Sequence, residues 1–231
     1  MPNARRARVD MVMVPLDVRP DMLAQTIAAL RAMENLAGMV ITIPHKTEVA
    51  QYCDRLTGAA EMLGVCNIIR RETDGSLTGA MFDGEGFVAG LRHRGHDPAG
   101  RRVLLIGAGG AASGLAHALA GAGVARLTIA NRSAEKAETL ARQLKAVFPG
   151  VDIGAGPADP AGYDLVINGT SLGMHAGDAL PVDPDRLDAG TLGRRGGDAA
   201  RCDAASGGGR GAWLQDSQGH QHDRTAGASA G

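Results

Sequence analysis

Residues 103–133 read VLLIGAGGAASGLAHALAGAGVARLTIANRS, a short apolar run followed by a glycine-rich turn, a helical stretch and a second apolar run. The first run, residues 103–106, is too short for a helix and ends at glycine, which is typical of a buried parallel strand. Gly107, Gly109 and Ala112 then have the spacing of a dinucleotide-binding turn. This spacing predicts that a pyrophosphate binds at the N-terminus of the following helix.

The rest of this stretch completes a β-α-β unit, with a helix predicted over residues 112–120 and a strand over 127–130. Asn131, Arg132 and Ser133 follow, where an acidic residue would hold the ribose of NAD. A guanidinium at this position can bind a 2′-phosphate instead, which favours NADP over NAD. Alternatively, Arg132 is merely solvated and Ser133 caps a helix over 134–147.

The composition excludes several classes of protein. The chain has 231 residues, 44% of them hydrophobic, and a formal net charge of −1, which predicts a folded core and gives no indication of nucleic-acid binding. Neither a membrane-spanning run nor a signal peptide is evident, so we expect a cytoplasmic protein. Cys53, Cys66 and Cys202 lack metal-site spacing, which fits reduced thiols and no metal.

The N-terminal third predicts a second α/β layer. We expect a strand over residues 9–14, a helix over 21–33 capped by Asp21, and a strand over 40–43. Pro44 ends that second strand, so His45 and Lys46 should lie where a parallel layer places its ligands. Alternatively, Lys46 is a solvated lysine and His45 has a structural role or is exposed.

A β-hairpin follows two short helical pieces, predicted over residues 47–56 and 57–63. The hairpin strands are predicted over residues 65–69 and 77–81, with Asp74 and Gly75 at the turn. A two-residue turn there would place Asn67 opposite Phe82 and beside Asp83. The alternative for Asp83 is that it only caps the helix that follows it.

Six segments in this order and spacing resemble the shikimate dehydrogenase family over roughly residues 9–190. They are VITIPHK at 40–46, GVCN at 64–67, DGEGF at 83–87, GAGGA at 107–111, NRS at 131–133 and NGTSLGM at 168–174. The resemblance implies an α/β fold with a Rossmann-type NADP-binding domain and a smaller, truncated α/β substrate domain. It also implies reversible hydride transfer between NADPH and 3-dehydroshikimate or a related hydroaromatic ketone, a small-molecule substrate of the chorismate route.

By the same resemblance, Lys46 and Asp83 are the catalytic pair, and Thr42 and Asn67 hold substrate hydroxyls. The residues implied in cofactor binding are Gly107, Ala108, Gly109, Gly110, Ala111, Asn131, Arg132, Ser133, Thr170 and Met174. Alternatively, Thr170 and Ser171 only form a turn after a strand over 164–167, and Met174 only packs. The implied domains are residues 1–82 for substrate, 83–192 for the cofactor, and a tail over 193–231.

The chain also departs from the family. We expect it to lack the N-terminal Ser-x-Ser segment that binds the substrate carboxylate, and a frame shift to have replaced its C-terminal part. These losses would weaken activity, since remote binding energy aligns a substrate. Met81 and Phe82 stand where the family commonly has Asn-Thr, which leaves the substrate open. The alternatives are a quinate or polyol dehydrogenase and a non-catalytic NADP- or metabolite-binding protein, as a monomer or a homodimer.

Overall fold

The computed structural model describes residues 11–172 and 179–195, which fold around two β-sheets. The helices of this part of the chain are α1 (Leu23–Arg31), α2 (Ala59–Leu63), α3 (Asp83–His93), α4 (Gly110–Gly121) and α5 (Ala134–Val147). The strands are β1 (Gly38–Val40), β2 (Arg55–Thr57), β3 (Ile68–Arg71), β4 (Leu77–Ala80), β5 (Arg102–Ile106), β6 (Arg126–Ala130), β7 (Asp152–Ala155), β8 (Leu165–Asn168) and β9 (Leu192–Arg195).

The first sheet is mixed and has the strand order β1-β3-β4-β2. β3 pairs antiparallel with both β1 and β4, whereas β2 runs parallel to β4. Its core includes the fully buried side chains of Val49, Ile69 and Leu77, against which Leu23 and Ile27 of α1 pack. The prediction that residues 40–43 belong to a parallel layer is therefore wrong, because β1 is an antiparallel edge strand that ends at Val40.

The β3–β4 hairpin is confirmed, but its register differs from the prediction by one residue. Ile68 lies opposite Ala80, and Glu72 N–H donates to the Ser76 carbonyl at 2.8 Å. Three residues therefore form the loop rather than two, and Gly75 ends it with φ +84°. A three-residue hairpin commonly needs a left-handed residue at that position, which glycine adopts without steric cost.

Several N-terminal predictions are wrong. Residues 11–14 form no strand, and their side chains are exposed. Asp21 does not cap α1, because it lies inside the short 3-10 turn Pro20–Met22, whose last residue, Met22, is the N-cap of α1. The predicted helix over 47–56 is a 3-10 turn at Glu48–Tyr52 that leads into β2. Backbone bonding to the hairpin overrides the helical pattern there, since Asp54 N–H donates to the Leu77 carbonyl at 2.9 Å.

The second sheet is parallel throughout, with the order β7-β6-β5-β8-β9. Successive residues of β5 alternate between its two faces. Val103 and Leu105 pack with α3, α4 and α5, whereas Leu104 and Ile106 pack on the other face with Val182 and Leu187. The chain reverses its winding direction between β5 and β8, and open parallel sheets bind ligands at such a switch point.

The β-α-β prediction is confirmed, with α4 beginning two residues earlier than expected and α5 at its predicted bounds. β7 was not predicted, because only Ile153 of its four residues is buried. The tail was expected to begin at residue 193, but residues up to Arg195 belong to β9, which pairs with β8. The rest of that predicted tail, 196–231, lies outside the described residues.

His117 on α4 gives the fold a dependence on pH. Burial lowers the pKa of its imidazole, and its ring meets Phe148 edge-on at 5.1 Å between centroids. Because the unfolded chain binds this proton more readily, stability should fall as the pH drops through about 6.5, the usual histidine pKa.

We expect His117→Gln to lose less stability than the wild type between about pH 7.5 and about pH 5.5, a range that spans that pKa. Urea unfolding at both pH values measures the difference. Burial also lowers the pKa of His96, but His96 is present in both proteins, so its effect cancels in the comparison. Equal losses in the two proteins would contradict the assignment.

Candidate functional site

Three polar side chains meet at one end of the first sheet. Lys46 Nζ lies 2.5 Å from Asp83 Oδ2, and Asn67 Nδ2 donates to Asp83 Oδ1 at 2.5 Å. The side chains of the ion pair are 14% and 25% exposed, so both charges are largely removed from water. A buried pair of this kind keeps its geometry because a separated charge would be poorly solvated.

The backbone of the first sheet holds Lys46 and Asn67 together. Cys66 N–H donates to the Lys46 carbonyl at 2.9 Å, and Asn67 N–H donates to the Ala80 carbonyl at 3.0 Å. Ile41 N–H donates to the Asn67 carbonyl at 2.7 Å, which brings the turn after β1 beside β3. The exposed Thr42 is the next residue in that turn, between Ile41 and Lys46.

Asp83 is the first residue of α3, and the alternative that it only caps this helix is wrong. The N-cap position belongs to Phe82, while the Asp83 carboxylate contacts Lys46 and Asn67. The buried Asn67 amide also accepts from Phe82 N–H through Oδ1 at 2.8 Å. Asn67 thus fixes both the backbone at the start of α3 and the carboxylate of its first residue. It does so although the hairpin register differs by one residue from the prediction.

The glycine-rich turn lies next to this cluster. A Cβ on Gly110, the first residue of α4, would lie 3.1 Å from Lys46 Cβ and 3.2 Å from Thr47 Oγ1. The N-terminus of α4 therefore contacts the segment that carries the lysine. Its N-cap, Gly109, makes no side-chain capping bond and has open space beside it, so the first amides of α4 have no side-chain acceptor at the cap.

Gly107 brings the turn against the loop that follows β8. Its φ of +115° favours glycine, and a Cβ there would lie 3.1 Å from the Gly169 carbonyl oxygen and from Thr170 Cγ2. Thr170 therefore flanks the turn. Gly107 N–H donates to the Ala130 carbonyl at 2.7 Å, which joins the turn to the end of β6.

Asn131, which follows β6 directly, is half-buried, whereas Arg132 and Ser133 are exposed. Asn131 Nδ2 donates to the Ser133 carbonyl at 3.0 Å, and the Arg132 side chain is exposed. Ser133 is the N-cap of α5 by position, although its side chain makes no capping bond. Met174 lies outside the described residues.

Asn168 organises the loop after β8, a role that the sequence analysis missed. Its buried Oδ1 accepts from Thr170 N–H at 2.9 Å and from Thr170 Oγ1 at 2.7 Å, and its Nδ2 donates to the Leu172 carbonyl at 2.9 Å. The turn-forming alternative for Thr170 is thus also present. An asparagine before Gly-Thr at the end of a buried strand is the signal for such a turn.

His45 has the structural role that was its alternative. Its Nε2 lies 2.7 Å from the Val18 carbonyl oxygen, and its own carbonyl accepts from Val49 N–H at 2.9 Å. His45, the residue before Lys46, therefore anchors this turn to the N-terminal segment at Val18. Within residues 11–172 and 179–195, we find neither a cluster of three metal-binding side chains nor a helix long and apolar enough to cross a membrane.

Two family models match the chain. "Shikimate dehydrogenase substrate binding domain" matches residues 2–69, which include Lys46 and Asn67, and "Shikimate / quinate 5-dehydrogenase" matches residues 91–172, which include the glycine-rich turn. The shikimate dehydrogenase (NADP(+)) of Geobacter metallireducens is 41% identical over 174 residues, which cover 72% of this chain and 60% of that protein. The chain thus spans about three fifths of the length of the curated relatives it matches.

Solved structures have the same fold. A shikimate dehydrogenase in complex with NADP+ is similar with a TM-score of 0.70 and 30% identity, over 78% of this chain and 64% of that one. The ligand-free 5-ketofructose reductase of a Gluconobacter strain is similar with a TM-score of 0.65 and 36% identity, over 78% of this chain and 66% of that one.

Proposed function

The chain belongs to the shikimate dehydrogenase family, and from this premise we propose that it is an NADP-dependent oxidoreductase of shikimate dehydrogenase type. Its reaction is reversible hydride transfer between NADPH and 3-dehydroshikimate or a related hydroaromatic ketone. The single observation that carries the proposal is the contact of the Asp83 carboxylate with both Lys46 and Asn67, beside Gly110 at the N-terminus of α4.

The residues around the glycine-rich turn fit a dinucleotide. The uncapped first amides of α4 and the dipole of this 12-residue helix favour a pyrophosphate, and the open space beside Gly109 lets it approach the backbone. Residues 107–111, 131–133, Thr170 and Met174 would hold the cofactor, which supplies or accepts the hydride. We therefore propose that residues 1–82 bind the substrate and that the cofactor part, expected over 83–192, extends to Arg195 at the end of β9.

Lys46 performs the proton chemistry in this proposal. A carbonyl that receives hydride becomes an alkoxide, and an ammonium beside it stabilises that charge and donates a proton to the oxygen. The Asp83 carboxylate holds Lys46 Nζ in place at 2.5 Å, and Asn67 orients the other carboxylate oxygen. Since both charges are largely shielded from water, these interactions are stronger than at an open surface. Thr42 and Asn67 would bind hydroxyls of the substrate ring.

Arg132 determines the choice of cofactor. A guanidinium that binds a 2′-phosphate contributes a charge-assisted hydrogen bond of about 1.5–3 kcal/mol. We expect Arg132→Ala to weaken NADP binding by roughly 10-fold or more, an effect of that size, and to leave NAD binding nearly unchanged. Calorimetric titration with both dinucleotides measures this, with Arg142→Ala on the outer face of α5 as the control. Equal losses for NADP and NAD would contradict the role.

A second candidate for the substrate has its own support. Met81, in the position where the family commonly has asparagine, is buried and packs its thioether on Gly114 of α4, so this position offers no polar group near Asp83. Together with the 36% identity to a 5-ketofructose reductase, this favours a quinate or polyol dehydrogenase as the second candidate.

Steady-state assays with the purified chain test the proposal. We expect NADPH absorbance to rise when NADP and shikimate are added, and to rise less with quinate or with polyols related to fructose. A faster rate with a polyol would select the second candidate. NADP binding without turnover of any of these substrates would overturn the enzymatic proposal and leave a non-catalytic binding protein.

We also propose that the protein acts in the cytoplasm, which its free thiols support.

A further inference from the structure

Two free thiols share one small space beside the polar site. Cys53 precedes β2 and is half-buried, whereas Cys66 precedes β3 and is fully buried. Both sulfur atoms lie over Gly79 of β4, where an ideal Cβ would be 2.9 Å from Cys53 Sγ and 3.2 Å from Cys66 Sγ. A side chain at residue 79 would fill this space, so the glycine leaves room there for both sulfurs.

The two thiols differ in reactivity. A hydrogen bond from the Cys66 thiol lowers the pKa of Cys53, while the same bond and burial raise the pKa of Cys66. The thiolate is the nucleophilic form of cysteine, so Cys53 is the more reactive of the two. It is also the one that solvent reaches, since Cys66 is fully buried.

We propose that Cys53 and Cys66 form a peroxide-reactive thiol pair, in which Cys53 is oxidised first and Cys66 then closes a disulfide with it. The geometry supports this because both sulfurs lie against Gly79, on the strand between β2 and β3, and because the Cys66 thiol hydrogen-bonds to Cys53. Closing the bond brings the sulfurs to about 2.05 Å, which requires the segments before β2 and β3 to approach each other over β4.

The chemistry balances with hydrogen peroxide as the oxidant. The Cys53 thiolate attacks one peroxide oxygen and breaks the O–O bond, which leaves a sulfenic acid and a hydroxide that takes up a proton to form water. The Cys66 sulfur then displaces the sulfenic oxygen, which leaves as a second water with the thiol proton. Two thiols thus lose two electrons and two protons while one peroxide becomes two waters.

The position of the pair connects it to the polar site. Cys66 directly precedes Asn67, and its N–H donates to the Lys46 carbonyl at 2.9 Å. A disulfide would therefore restrain the backbone on which both Lys46 and Asn67 depend. The pair itself stands on the thiol geometry and does not rest on the proposed function.

Peptide mass analysis after peroxide treatment tests the pair, in a Cys202→Ala background that removes the third cysteine. We expect a peptide that links residues 53 and 66, two hydrogens lighter than the reduced pair and restored by dithiothreitol. Adding Cys66→Ala should leave a sulfenic acid on Cys53, which dimedone captures. Adding Cys53→Ala should leave Cys66 unmodified at the same dose.

Two results would overturn the proposal. One is oxidation of Cys53 in the folded protein without any link to Cys66. The other is a Cys66 that reacts equally fast whether or not Cys53 is present, since a buried thiol should depend on its partner for access to peroxide. Circular dichroism of each variant before treatment shows that the folded chain is being measured.

Discussion

Replacing Lys46 by alanine is expected to lower the turnover number by about 1,000-fold, the middle of the range for a positioned acid or base. The substitution removes the ammonium that would protonate the substrate oxygen, and it leaves the half-buried Asp83 carboxylate without its cation. The dissociation constant for NADP should stay within about 2-fold of the wild type. Lys46 acts on the transition state in this proposal and is not one of the residues assigned to cofactor binding. Single-turnover assays together with cofactor titration measure the two effects.

Lys145→Ala is the matched control for this experiment. Lys145 is a solvent-exposed lysine near the end of α5, far along the chain from the polar cluster, and its loss should leave turnover unchanged. A Lys46→Ala protein that keeps a tenth or more of the wild-type turnover, an effect well below that of general acid catalysis, would contradict the role of this lysine.

Replacing Gly84 by alanine is expected to destabilise the fold by about 2–3 kcal/mol, the upper part of the range for overpacking. Gly84 lies where α3 crosses α4, and a Cβ there would overlap the Gly114 carbonyl and lie 2.8 Å from Ala118 Cβ. Backbone atoms cannot give way as the end of a flexible side chain does. The melting temperature should fall by roughly 5–10 °C for a chain of this size.

Gly86→Ala on the same helix separates this packing effect from the effect of alanine itself. Gly86 is exposed, and a Cβ there would meet nothing within 4 Å. Alanine should therefore stabilise α3 by about 0.5–1 kcal/mol through the reduced entropy of the unfolded chain. Thermal unfolding of the two variants should show shifts of opposite sign. Similar shifts would mean that α3 does not pack closely on α4.

The parallel sheet and its turn could be predicted because local signals there agree with tertiary structure. Residues 103–106 are uniformly apolar and buried. In α5, apolar residues recur three or four positions apart, and those on one face are buried: Ala137, Leu140, Ala141 and Leu144. β7 gave no such signal, since it is a short strand with one buried residue. Where the apolar pattern and burial coincide, the sequence alone was sufficient to predict the helix or strand.

The first sheet was harder to predict because non-local pairing decides its elements. Residues 47–56 carry a helical pattern, but Arg55–Thr57 becomes a strand by pairing with β4, more than 20 residues later in the chain. The hairpin register depends on the length of the loop. The Asp74-Gly75 pair predicts a two-residue loop, whereas the loop has three residues. The convergence of Asn67 with Asp83 was nevertheless predicted, because both lie at the same end of the hairpin.

The contact between the two halves of the site could not be derived from spacing. Gly110 was assigned to the cofactor and Lys46 to the catalytic pair, and their proximity follows only from how α4 meets the turn after β1. The resemblance to a family supplied the roles of these residues, whereas their distances come from the fold. Asn168 shows the reverse case, since a local sequence signal existed there and was not used.

Transfer of deuterium tests the central claim, that hydride moves beside Lys46 at the mouth of the glycine-rich turn. The purified chain would be given 3-dehydroshikimate and NADPH with both hydrogens of the transferring carbon replaced by deuterium, and the mass of the product would be measured by mass spectrometry. We predict one deuterium per product molecule with the wild type, formed about 1,000-fold more slowly with Lys46→Ala, as expected for loss of its acid. Product without deuterium, or labelled product formed equally fast by both proteins, would contradict the account.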